Sequence, residues 1–310
     1  MKLSVLIITY NQKKYIAQAI DSVLMQQADF DYEIVIGDDC STDGTREIVS
    51  DYAMRYPGKI NALLHPCNLG RFGVKNFAAA YKSCKGKYIA ILEGDDYWTS
   101  PYKLQKQVEI MEKDGDIALT AHQMLITHEN GAKESHLSNT KTPAVIPFER
   151  LISPGELMTG SLVLRKYLDQ LPDWFFKYSF GDYPLALLQA SYGKVCFNTE
   201  VMGVYRKHDD GLSNDLQWNS DYDLFEICDD LDKYTNYKRH SEIHNGVIRL
   251  YIATACWFKR RKDIYKMLVF MLKGIRHSRS IQEAIIIVVK CLIPEWVKSK
   301  IKIVMGMIKN

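Results

Sequence analysis

The chain has 310 residues, 47% of them hydrophobic and 25% charged, and a formal net charge of +3. This composition is that of an ordinary globular protein of one or two domains and excludes a disordered chain, a collagen-like repeat and a small disulfide-stapled scaffold. The near-neutral total argues against a nucleic-acid specialist, but it hides a division: residues 259–310 hold 13 Lys or Arg and 3 Asp or Glu, a net of +10, and the residues before them carry −7.

Residues 3–8 form an apolar run suited to a buried strand. The run is too short for a signal peptide and is followed at once by Tyr10-Asn11-Gln12-Lys13-Lys14. Residues 13–27 follow with helical spacing, placing Ile16, Ala19, Ile20, Val23 and Leu24 on one face. A second strand over 33–37 ends at Asp38-Asp39, and Ser41 or Thr42 is placed to cap a helix through Arg46, Ile48 and Val49. A strand over 60–64, a helix over 72–83 and a strand over 87–92 come next. Pro101 suits the first turn of a helix running through Met111, and 117–126 reads as a strand. Residues 127–160 are loop-rich. Short strands are expected over 161–164, 194–197 and 201–205, with a helix near 183–192. From about Leu216 the pattern is helical, including 243–258, 264–275 and 281–292.

The apolar stretch 284–289 stops at Lys290, well short of the roughly 18 residues a spanning helix needs. The seven cysteines are odd in number and lack Cys-x-x-Cys spacing, which disfavours a disulfide framework or structural zinc and points to a reducing cytoplasm.

Alternating strands and helices imply an α/β fold with a mostly parallel sheet, whose ligands bind beyond the carboxyl ends of the strands. Three polar clusters fall there: Thr9-Tyr10-Asn11, Asp38-Asp39 and Glu93-Gly94-Asp95-Asp96. A carboxylate pair at a strand end suits Mg²⁺ or Mn²⁺, hard cations that share oxygen ligands with substrate phosphates; a solvated acidic turn is the plainer reading of such a pair taken alone. Two acidic pairs at one sheet edge repel unless a cation or a base edge compensates. Asp38-Asp39 fits either a helix cap or a carboxylate accepting a ring N–H such as that of uracil.

Four segments then resemble family 2 glycosyltransferases of the GT-A fold, a Rossmann-like nucleotide-diphospho-sugar transferase architecture. They are Ser4-Val5-Leu6-Ile7-Ile8-Thr9-Tyr10-Asn11, Val35-Ile36-Gly37-Asp38-Asp39-Cys40-Ser41-Thr42-Asp43-Gly44-Thr45, Asn68-Leu69-Gly70 with Lys75-Asn76, and Ile91-Leu92-Glu93-Gly94-Asp95-Asp96-Tyr97-Trp98. The resemblance implies inverting transfer of a sugar from a nucleotide-diphospho-sugar, a UDP-sugar, to an acceptor hydroxyl, with Mn²⁺ or Mg²⁺ as cofactor. Carried over residue by residue, Thr9, Asn11, Asp38, Asp39, Asn68, Lys75, Glu93 and Asp95 would bind the nucleotide-sugar: Thr9 and Asp39 at the base, Lys75 near the nucleotide and Asp95 at the ribose. Asp96 would hold the metal. Glu93 departs from the Asp that many members carry.

More weakly, Phe180-Gly181-Asp182-Tyr183-Pro184 resembles the segment holding the family's catalytic base, which makes Asp182 the candidate; its plain role would be a helix cap. Val204-Tyr205-Arg206-Lys207-His208 would bring basic groups to the diphosphate, with His208 on metal or phosphate. Trp98 suits either a sugar platform or the core.

The expected organisation is a glycosyltransferase domain over 1–215 and a helical extension over 216–310. In the extension Ile285, Val288, Val289 and Leu292 share a helix face, followed by Trp296, Lys298, Lys300 and Lys302. That pattern suits either a peripheral contact with an anionic membrane or a domain-packing helix. The implied partners are the donor and a glycan or lipid-linked glycan acceptor in cell-surface synthesis, with no nucleic acid, at the inner face of the cell membrane. A catalytically inactive nucleotide-sugar-binding module is the alternative. The absence of Gly from Thr9-Tyr10-Asn11-Gln12-Lys13 disfavours a sugar-nucleotide pyrophosphorylase, and the missing Gly-x-Gly-x-x-Gly a dinucleotide oxidoreductase.

Overall fold

The computed structural model describes residues 1–70, 73–129, 135–138, 144–153, 155–209, 211 and 223–292. The strands are β1 (Leu3–Thr9), β2 (Tyr32–Asp38), β3 (Ile60–Leu64), β4 (Tyr88–Glu93), β5 (Tyr97–Trp98), β6 (Ile117–His128), β7 (His136–Leu137), β8 (Val145–Ile146), β9 (Val163–Arg165) and β10 (Lys194–Lys207). They form one sheet in the order β3-β2-β1-β4-β9-β6-β10-β5, with β7 on β6 and β8 on β10. The long ladders are parallel: β3–β2–β1–β4 and β6–β10. The ladders made by β5, β7, β8 and β9 are antiparallel and only two or three residues long. The sheet is therefore mixed in its pairings but mostly parallel in extent.

The helices of the sheet-bearing part are α1 (Ile16–Leu24), α2 (Thr45–Arg55), α3 (Val74–Ser83), α4 (Lys103–Lys113), α5 (Phe148–Leu151), α6 (Asp182–Ala190) and α7 (Asp223–Tyr234). Every residue of β2 is buried and all but one of β1, because helices cover both faces. On one face, Val5, Ile7, Ile34, Ile36, Ala90 and Leu92 pack with Ile16, Ile20 and Val23 of α1 and Leu104, Val108 and Met111 of α4. Each such aliphatic side chain contributes about 1.5–3 kcal/mol on leaving water. This rigid parallel core fixes where β1, β2 and β4 end, and hence where the polar clusters sit.

Two expectations are corrected. The strands expected over 194–197 and 201–205 are one strand, β10, whose register on β6 shifts between Asn198 and Val201 and again before Gly203. A bulge absorbs the polar Asn198-Thr199-Glu200 segment that resembles a turn. Neither Ser41 nor Thr42 caps α2, which starts after Gly44 at φ 103°. Asp43 Oδ1 accepts the Thr45 N–H at 2.9 Å instead.

Trp98 belongs to the core: it is 1% exposed and its indole N–H donates to Gly160 O at 2.8 Å. Over its ring, at 4.1 Å, lies Nζ of Lys103, a fully buried lysine whose amine has no hydrogen-bond partner. Burial holds that amine well below its ordinary 10.5. The folded state favours the neutral amine, so stability is full above pH 10.5 and is lost as pH falls towards the folded pKa, because the unfolded chain takes up the proton first. Lys103→Met should therefore stabilise the protein at neutral pH, by about 1–2 kcal/mol. Thermal melts should show the gain shrinking as pH approaches 10.5. A neutral or destabilising effect at neutral pH would mean that the ammonium–indole contact outweighs desolvation.

The chain divides into two compact units, Met1–Asn236 and Tyr237–Asn310. The expected boundary at 215/216 lies outside the described residues. Helix α7, just after it, is tied into the first unit by Lys177 Nζ and Tyr178 Oη, each 2.8 Å from Asp230 Oδ2. The described part of the second unit consists of α8 (His240–Arg260), α9 (Ile264–His277) and α10 (Ile281–Leu292). No disulfide joins the seven cysteines. Among the described residues no helix is long and apolar enough to cross a membrane. Trp296, Lys298, Lys300 and Lys302 lie outside the described residues.

Candidate active site at the carboxyl edge of the sheet

The ends of β1, β2 and β4 are stitched together by their own polar residues. Asn11 takes a left-handed φ of 52°, a conformation Asn tolerates, which aims its amide N–H at Ser41 Oγ (2.9 Å) while its Oδ1 accepts the Thr42 N–H (2.9 Å). Asp39 donates its N–H to Thr9 O at 3.1 Å. Its Oδ1 accepts the Leu69 N–H at 2.7 Å, and Asn68 Nδ2 donates to its carbonyl at 3.2 Å. Thr9, Asn11, Asp39 and Asn68, each read from sequence as a nucleotide contact, thus meet at one edge.

Asp38 does not present its carboxylate there. It is fully buried, with Oδ2 accepting from the Ser41 N–H (3.2 Å) and Arg46 Nη1 (3.4 Å). Lys75 is exposed on the first turn of α3. Its neighbour Asn76 is buried and donates to Gly37 O at 2.8 Å. A Cβ on Gly37 would lie 2.2 Å from Asn76 Oδ1, so any side chain there would displace Asn76 from this hydrogen bond. Gly94 permits a second close approach: a Cβ there would sit 2.4 Å from Gln12 Oε1 and 2.8 Å from Thr9 Oγ1. The turn after β4 can therefore lie directly against the end of β1.

Glu93, Asp95 and Asp96 then face different ways. Burial, followed by the negative charges of Asp95 and Asp182, pushes the half-buried Glu93 carboxyl up to about 8. Asp95 Oδ2 lies 3.0 Å from His208 Nε2, just beyond β10. Asp96 is fully buried, its Oδ1 accepting the Arg206 N–H at 2.9 Å. Its Oδ2 points towards Gly160, where an added Cβ would be 3.5 Å away. Burial, then Asp95 and Glu93, raise its pKa well above the carboxylate range. The residue expected at a metal is thus turned into the fold, and the one expected at the ribose is beside the histidine.

Arg206 explains this division. Its guanidinium donates to Asp95 O (2.8 Å) and Gln18 Oε1 (2.6 Å) and lies 5.1 Å and 4.5 Å from the ring centroids of Tyr15 and Tyr97. It is committed to holding the Asp95 turn and does not present the fork expected for a diphosphate; Lys207 is exposed. Tyr15 also packs against His208, ring centroids 4.7 Å apart, and donates its hydroxyl to Glu129 Oε2 at 2.7 Å. Tyr15, Gln18 and Glu129 escape sequence reading because their part depends on β10 arriving beside α1, a contact with no local signature.

Asp182 opens α6, and its Oδ1 accepts the Tyr183 N–H at 2.8 Å. Asp182 is exposed at the start of that helix, with protein packed around its carboxyl end. Burial raises its pKa, and hydrogen bonds from the Tyr183 backbone and the Thr159 side chain oppose that rise. Its charge is felt at Glu93, so the start of α6 lies on the same side of the sheet as that carboxylate. Among the described residues no three His, Cys, Asp or Glu side chains gather into a metal-holding group. The Asp95–His208 pair offers one oxygen and one nitrogen donor, a set that fits Mn²⁺ or Mg²⁺ when phosphate oxygens and water complete the shell.

Comparison with known proteins gives the family and the fold. The sequence profile described as "Glycosyl transferase family 2" matches residues 4–171. An uncharacterized protein of Mycobacterium tuberculosis is 32% identical over 228 residues, 71% of this chain and 61% of the relative, so the chain spans about three-fifths of that protein's length. The poly(ribitol-phosphate) beta-N-acetylglucosaminyltransferase TarS of Staphylococcus aureus is 31% identical over 169 residues, 53% of this chain and 28% of TarS. The crystal structure of TarS 1–349 in complex with UDP-GlcNAc superposes with a TM-score of 0.57 at 18% identity, covering 87% of this chain and 90% of that one. The mannosyltransferase PcManGT from Pyrobaculum calidifontis, in complex with GDP-Man and Mn²⁺, gives a TM-score of 0.57 at 14% identity over 92% and 78% of the two chains.

Proposed function

The chain belongs to glycosyl transferase family 2 and has the GT-A fold, and from that premise we propose that it transfers a sugar, with inversion, from a UDP-sugar to the hydroxyl of a lipid-linked or polysaccharide acceptor in cell-surface glycan synthesis on the cytoplasmic side of the membrane. The observation that carries the reading is the pairing of Asp95 with His208 just beyond Glu93, at the carboxyl end of β4, with Asp182 near enough for its charge to act on Glu93. The UDP-GlcNAc complex of TarS, and that protein's polymeric acceptor, favour a UDP-sugar and a surface polymer.

In this reading Asp182 accepts the proton of the acceptor hydroxyl, its raised pKa bringing it nearer to working pH. The acceptor oxygen bonds to the anomeric carbon from the face opposite the diphosphate, and the bond from that carbon to the phosphate oxygen breaks. Attack from the opposite face inverts the configuration. Asp95 and His208 would hold Mn²⁺ or Mg²⁺, which supplies positive charge to the departing diphosphate. In this reading Asp96 acts as a brace rather than as the metal ligand: its Oδ1 accepts the Arg206 N–H, and its buried Oδ2 has no hydrogen-bond partner among the described residues. Asp38 likewise becomes a brace for the loop after β2. Thr9, Asn11, Asp39 and Asn68 shape the nucleoside end, and Lys75 and Glu93 flank the donor.

The test is turnover. The full chain, given Mn²⁺, a panel of UDP- and GDP-sugars and a set of glycan and polyprenyl-linked acceptors, should release nucleoside diphosphate with at least one UDP-sugar. Saturable donor binding without release on any acceptor would establish the inactive binding module instead.

A further inference from the structure

We propose that α9 and α10 form the surface by which the protein lies on an anionic lipid bilayer. Helix α10 is apolar on both sides. Ile287 and Cys291 are fully buried within the second unit, while Ile281, Ile285 and Ile286 are 81%, 56% and 47% exposed and Val289 lies on the same outward stripe. A helix apolar all round is stable only when its outer side also leaves water. Helix α9 repeats the arrangement: Met267, Phe270 and Met271 point inward, and Leu268 and Leu272 are 40% and 59% exposed. With 14 and 12 residues, both helices are too short to cross the roughly 30 Å hydrocarbon layer. They suit its interface.

Charge selects the occupant. Residues 259–292 carry nine Lys or Arg against Asp263 and Glu283, a net of +7, and Lys266, Arg276, Arg279 and Lys290 are all exposed. Protein–protein interfaces are depleted of lysine at their cores, whereas aliphatic side chains ringed by Lys and Arg match an apolar layer beneath anionic headgroups. The proposal deepens the lipid-linked-acceptor reading and rests on it for its purpose, since it would hold the enzyme at the membrane that carries such an acceptor.

The experiment is co-sedimentation of the full chain with vesicles of phosphatidylcholine alone and of equimolar phosphatidylcholine and phosphatidylglycerol. Wild type should partition onto the mixed vesicles at least about tenfold better, and added salt should weaken the binding. Ile285→Glu and Leu272→Glu should each reduce it about tenfold, and Lys290→Glu by several-fold. All three positions are exposed, so thermal melts and donor turnover on a soluble acceptor should not change; turnover is read separately, so the docking claim and the enzymatic claim can fail independently. Equal binding to both vesicle types, or wild-type binding by both apolar-face variants, would overturn the proposal. So would sedimentation showing that the wild type is a dimer which Ile285→Glu dissociates, because the face would then be occupied by a second copy.

Discussion

Asp182→Asn should lower the rate of sugar transfer by about a hundredfold to ten-thousandfold and leave donor affinity within a few-fold of wild type. Asn keeps the shape and can still accept the Tyr183 N–H, but it cannot take a proton. The substitution should not unfold the protein. Burial raises the Asp182 pKa in the fold, so the charged form is disfavoured there, and whatever stability it lends is present below the unfolded value of 3.8 and lost as pH rises through the folded one. A neutral Asn at working pH removes that penalty. In the wild type, transfer should fall off on the acid side at a pH above the 3.8 of an ordinary aspartate, and Asp182→Glu should retain part of the rate. Transfer near wild type in Asp182→Asn would remove Asp182 from the proton-transfer role.

Asp95→Ala and Asp96→Ala should fail in different ways. Without Asp95 only His208 of the pair remains, and transfer at limiting Mn²⁺ should drop on the order of a hundredfold or more, partly recovered at high metal. Asp96→Ala removes a buried acceptor and leaves the Arg206 N–H unpaired, so the expected signature is a lower melting temperature, a loss of about 1–3 kcal/mol. Arg206→Met should resemble Asp95→Ala in milder form, since it frees the Asp95 turn without removing a ligand. Melts paired with rates at several Mn²⁺ concentrations separate the two classes. A metal-dependent defect in Asp96→Ala with unaltered stability would restore Asp96 as the ligand.

Much of this was legible in residue order because parallel strands are buried on both faces. Their apolar runs, as at Leu3–Thr9 and Tyr88–Glu93, stand out, and the polar residue that ends each one marks the ligand edge. The helices over 243–258, 264–275 and 281–292 carried an equally plain period. The two-residue strands β5, β7 and β8 have no period to read, and the bulge in β10 is written in polar residues that also make turns. At the site, Asp95 and Asp96 are adjacent and chemically identical. Which of them faces the cleft is decided by the Arg206 N–H, 110 residues away in sequence. The outward Ile281–Leu292 stripe has the spacing of a core-facing helix, and only the packing of Ile287 and Cys291 shows that its apolar surface exceeds what the fold covers.

The most direct test is titration of Mn²⁺ into the full chain with UDP-GlcNAc, followed by the electron paramagnetic resonance signal of the free ion. The wild type should remove Mn²⁺ from solution more strongly with the donor than without it, Asp182→Asn should do so as well, and Asp95→Ala should not. Donor-independent Mn²⁺ binding, or full binding by Asp95→Ala, would contradict a donor and cation held together at the carboxyl edge of this sheet.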